Sequence, residues 1–109
     1  MGADDANEGN EPGACLEQEF RLARAAAGRL VVLRSAAAER RTARSWLADL
    51  TAEHGNRSAA RAPAQQAYAA ATGRWSELIR QAVAAGHTKA DVARAAGCAA
   101  PSLYRHLKR

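Results

Sequence analysis

Between His87 and Arg109 the chain gathers side chains suited to holding a polyanion: Thr88 and Lys89, then Ser102, Tyr104, Arg105, Lys108 and Arg109. Hydroxyls and cations of these types donate to phosphate oxygens and to base edges, and a guanidinium donates twice at once. Catalysis has no comparable foothold. There is no Gly-rich phosphate loop, no Gly-x-Ser-x-Gly and no carboxylate pair on an apolar background, so no enzyme is expected. His54, His87, His106, Cys15 and Cys98 lack any Cys-x2-Cys or His-x3-His spacing, and neither a metal nor another cofactor is expected. Cys98 reads as a small buried hydrophobe rather than a redox switch, and His106 as a core or helix-end residue.

These residues need two short helices to position them. Thr88 is a good N-cap, with Asp91 three residues on in a capping-box arrangement, and Val92, Ala93 and Ala96 supply one apolar face. Gly97 can take the left-handed conformation that ends a helix sharply. Cys98 follows the turn, and Leu103 and Leu107, four apart, form the buried edge of a second helix from about Ala99 to Lys108. Ala99 cannot cap that helix as Ser or Thr would, which shifts its expected start toward Pro101 and Ser102.

The stretch from His87 to Leu107, with Leu103-Tyr104-Arg105-His106 in its second helix, resembles the helix-turn-helix of TetR-like bacterial regulators and resolvase/invertase-type recombinases. The resemblance covers about a fifth of the chain, or a third if the helix around Trp75 to Ala85 is included, and it specifies the module better than the biology. It implies that the second helix enters the major groove of double-stranded DNA N-terminal end first. Ala99, Ala100 and Ser102 would then approach base edges, Arg105 would make a bidentate guanine contact, and Tyr104 would reach a backbone phosphate. Thr88 and Lys89 would offer amides and an ammonium to phosphate, with Lys108 and Arg109 adding charge.

The rest of the 109 residues reads as helical support. Only 5% are aromatic and alanine runs recur (Ala25 to Ala27, Ala36 to Ala38, Ala69 to Ala71), so the expected fold is all-α with a thin core. Residues 1–13 lack an apolar anchor and are expected to be a disordered acidic tail. Residues 14–62 are expected to form a long helix and turn, with Leu16, Phe20, Ala23, Ala27, Leu30 and Val31 at helical spacing and Gly28 as the one candidate kink. Pro63 opens a helix through Tyr68, Trp75, Leu78, Ile79 and Val83 to a stop at Gly86, so that 63–109 is a helix plus the helix-turn-helix. Folding back at 54–62 makes a long helical hairpin in which Trp46 and Trp75 are placed to face each other. About 17 residues of the first helix, with Leu16, Phe20 and Leu30, then outrun the ~34 Å second one. Their expected cover is the C-terminal unit or a second copy of the chain.

The formal charge of +5 hides an asymmetry: six acidic and no basic residues up to Glu19, then five acidic against sixteen basic, a net of +11. A basic body suits nucleic acid, although an Arg- and Ala-rich bias also follows from base composition alone. The acidic start is either a solubilising tail or an autoinhibitory one, which predicts tighter binding at low salt when 1–13 are deleted. Arg40, Arg41 and Arg44 read as a solvated helix face, with a second DNA-backbone contact as the alternative. No signal peptide or 18-residue apolar run is seen, so a cytoplasmic, nucleoid-associated protein is expected, with no membrane and no small-molecule ligand. The expected partners are double-stranded DNA and a second copy bound through 14–53. A sequence-specific regulator acting by operator occupancy is the leading expectation. A DNA-architectural, segregation or recombination accessory and a helical protein-interaction adaptor are the alternatives.

Overall fold

The structure, a computed structural model, describes the backbone of residues 2–107 and the side chains of 16–107; the side-chain expectations placed on 1–13, Lys108 and Arg109 lie outside the described residues. The described chain is all-helical: a long α1 (Gly2–His54), a single 3-10 turn (Ala59–Arg61), α2 (Ala62–Ala84), α3 (Lys89–Ala96) and α4 (Ala100–Leu107). α1 passes Gly28 without a break, because one glycine costs a helix interior only about 1 kcal/mol and no proline lies within fifteen residues of it on either side.

α1 ends where Gly55, at φ 88°, lets its amide reach back to the Thr51 carbonyl at 2.8 Å. The return is pinned by side chains. Ser58 Oγ accepts from the Ala60 amide at 3.1 Å, and Arg61 donates to Thr51 Oγ1 at 2.8 Å and to the Asn56 carbonyl. Pro63 lies in the first turn of α2, where a missing N–H costs nothing.

α1 and α2 run antiparallel in a register where Glu39 meets Arg74, Arg40 meets Thr72 and Thr51 meets Arg61. That register corrects the expected Trp46–Trp75 contact. Trp75 is 3% exposed in the core, whereas Trp46 is 44% exposed and lies nearer the turn, beside Ala67. Trp75 stands thirteen residues into α2 and Trp46 eight before the end of α1, so their distances from the turn differ by more than a helical turn.

The core is one cluster to which all four helices contribute: Leu33, Ala36 and Ala37 of α1, Trp75, Ile79 and Ala82 of α2, Val92, Ala93, Ala95 and Ala96 of α3, and Leu103 of α4. Its apolar bulk rests on a few large side chains, and the alanines let the helices approach closely. Leu30 packs partly against this cluster, but Leu16, Phe20, Leu22 and Val31 stay exposed, so the C-terminal unit covers only the near end of the overhang.

Candidate nucleic-acid interface

α3 is bounded as its sequence dictates. Thr88 Oγ1 accepts from the Asp91 amide at 3.1 Å, and Gly97, at φ 71°, closes the helix with its own amide on Arg94 and the Cys98 amide on the Ala93 carbonyl at 3.1 Å. The same cap ends α2, with Gly86 at φ 99° and the His87 amide on the Ala82 carbonyl at 3.1 Å. Both connections are therefore short and fixed. α4 starts at Ala100, directly after Ala99, so the expected shift of its start toward Pro101 and Ser102 does not occur; the Ser102 amide on the Ala99 carbonyl at 2.9 Å closes the first turn without a side-chain cap.

Four contacts lock the α3–α4 unit onto the hairpin. Trp75 Nε1 donates to the Ala96 carbonyl at 3.0 Å, satisfying a buried group at the end of α3. The Trp75 and His106 rings meet in a T-shaped arrangement, centroids 4.8 Å apart at 82°, and His106 Nδ1 lies 3.2 Å from Ser76 Oγ. Arg29 Nε donates to His87 Nε2 at 3.2 Å, tying α1 to the residue that precedes the Thr88 cap.

On the outside, Ala99, Ala100, Tyr104 and Arg105 are exposed and Ser102 is half-buried, while Leu103 is fully buried beneath them. Thr88 and Lys89 are exposed at the start of α3. The structure brings Lys89 and Tyr104 together: the ammonium sits 4.5 Å from the ring centroid, so the start of α3 and the outer face of α4 form one surface. Arg94 of α3 is exposed and paired with Asp91 at 3.2 Å, a contact worth little in water.

The basic residues of α1 divide into two kinds. Arg40, expected on a solvated face, is half-buried: its guanidinium lies 4.3 Å from the Trp75 ring centroid and donates to Thr72 Oγ1 and the Tyr68 hydroxyl, each at 3.1 Å. It is a packing element of the hairpin, which its long apolar stem allows. Arg41 is exposed and reaches the α3–α4 turn, its Nη1 3.3 Å from where a Cβ on Gly97 would stand. The expected shared face of Arg40, Arg41 and Arg44 holds for the exposed Arg41 and Arg44 but not for Arg40, since helical neighbours 100° apart face different surroundings.

Cys98, half-buried in the turn, has its thiol pushed above the usual range by burial, against a smaller opposing pull from the Arg40 charge. Among the described residues no cluster of His, Cys, Asp or Glu could hold a metal ion, and no helix is long and apolar enough to cross a membrane. The chain matches no protein-family model, no curated protein and no solved structure.

Proposed function

We propose that this protein binds double-stranded DNA through α3 and α4, acting as a helix-turn-helix with α4 in the major groove, and regulates by occupying its site. The observation that carries the reading is the Lys89–Tyr104 contact, with Arg105 exposed next in sequence, on two short helices joined by a three-residue turn. Their inner faces are fixed to a rigid hairpin, so the outer face can meet a groove without ordering cost. Arg105 is the guanine-reading residue, Tyr104 and Lys89 address phosphate, and Ala99, Ala100 and Ser102 approach base edges. The amides at the start of α3 and the Arg41 guanidinium beside the turn add phosphate contacts.

Few base-reading donors stand on this α4, so one copy discriminates modestly and selectivity draws on Arg105 and on pairing of copies. Electrophoretic shift against random duplex, with selection and sequencing at two salt concentrations, tests the reading. Salt-sensitive binding that enriches a defined sequence is expected. A helical adaptor is the second reading, favoured by the exposure of Leu16, Phe20 and Leu22; absence of any duplex shift at low salt selects it instead.

A further inference from the structure

Two unpartnered apolar surfaces lie along α1. The first is the overhang, where Leu16, Phe20 and Val31 are 55%, 65% and 56% exposed. The second is an open groove of about 730 Å³ between α1 and α2, walled by Ala38, Thr42 and Trp46 of α1 and by Ala67, Ala70 and Ala71 of α2. They are continuous. Leu16, Phe20, Ala27, Val31, Ala38 and Thr42, all exposed, follow one another at steps of four and seven. That is a repeat of eleven, about 3.67 residues per turn, so the stripe runs nearly straight along an undistorted helix.

We infer that the occupant of this stripe is a second copy of the chain, packed antiparallel so that the overhang of each copy fills the groove of the other. The register follows from matching surfaces. With Val31 on the two-fold axis, Phe20 lies over Thr42 of the second copy and Leu16 over Trp46 of the second copy, and both surfaces are covered by one operation. The charges flanking the stripe agree with it. Arg21 and Arg24 then stand beside Glu39 of the second copy, the carboxylate that rims the groove through its pair with Arg74 at 3.2 Å. A parallel arrangement sets Arg24 on Arg24 and Arg41 on Arg41 and leaves the groove empty.

The contact from Leu16 to Trp46 is ~45 Å long, and with a helix-wide footprint it buries on the order of 1,000 Å² in total, enough for a specific interface. Neither the Trp75 core nor the Lys89–Tyr104 surface is used, since α3 packs on another side of α1, where Leu33, Ala36 and Ala37 are buried, and α4 packs on α2 and α3.

The test uses the full chain with Cys15→Ser and Cys98→Ala. Chains carrying Phe20→Cys and Thr42→Cys, mixed under mild oxidation, are expected to form a disulfide with each other and neither with itself. Val31→Arg, at an exposed position that leaves helical content unchanged by circular dichroism, is expected to weaken the dimer about tenfold or more in sedimentation equilibrium. A parent chain that is monomeric at every concentration, a disulfide in Phe20→Cys alone, or a Val31→Arg dimer as tight as the parent's overturns the inference. All of these are measured without DNA, so the pairing and the DNA-binding reading fail independently.

Discussion

Trp75 donates its indole N–H to the carbonyl of Ala96 at 3.0 Å, a buried hydrogen bond between the middle of α2 and the last residue of α3. The same side chain carries Arg40 at 4.3 Å and the His106 ring at 4.8 Å, so it joins the hairpin to both short helices. Trp75→Phe keeps most of the ring but leaves the Ala96 carbonyl unsatisfied. A loss of about 1 to 3 kcal/mol is expected. Trp75→Ala adds a cavity and is expected to cost about 3 to 5 kcal/mol, much of a small domain's stability. Denaturant midpoints measured for the two variants check both values.

Gly97 and Gly28 make a contrasting pair. At Gly97, φ is 71° and an added Cβ meets only the movable Arg41 guanidinium, so the cost of Gly97→Ala is that of a left-handed alanine, about 1 to 2 kcal/mol. At Gly28 a Cβ meets nothing within 4 Å inside a continuous helix, and Gly28→Ala is expected to stabilise by about 1 kcal/mol. Thermal unfolding of the two variants should therefore move in opposite directions.

How much of this was legible in the sequence depends on how local the determinant is. The ends of α3 could be read because Thr88 and Gly97 act within four residues of themselves. The helical character of 14–54 and the overhang that carries Phe20 followed from spacing and from the length difference between the two helices, whereas the continuity of α1 through Gly28 did not. The positions of Arg40 and Trp46 could not be read, because each depends on the register of α1 against α2, which the 55–61 return fixes through Thr51, Ser58 and Arg61. An arginine on a helix gives no sign of whether an aromatic ring will lie under it. The Arg41 contact with the Gly97 turn is hidden for the same reason.

Burial raises the Cys98 thiol above its usual range in the folded state. The protonated thiol is therefore the form that folding favours. Its contribution is complete below the pKa of the unfolded thiol, near ~8.5, and is lost as pH rises through the higher folded value. Alkylation of Cys98 at mildly alkaline pH, followed by peptide mass mapping, should run slower in folded than in unfolded chain. Equal rates would show an open thiolate in the α3–α4 turn.

The central claim is that Arg105 and Lys89 meet DNA from one surface, and the direct measurement is the affinity of the parent, Arg105→Ala and Lys89→Ala chains for a selected duplex across a salt series. Arg105→Ala should cost about 1 to 3 kcal/mol and relax the preference for the selected sequence, with fold and helical content unchanged. Lys89→Ala should weaken all sequences alike and lower the salt slope by about one. A parent chain that shifts no duplex at low salt, or an Arg105→Ala chain that binds the selected duplex as tightly and selectively as the parent, would contradict the account.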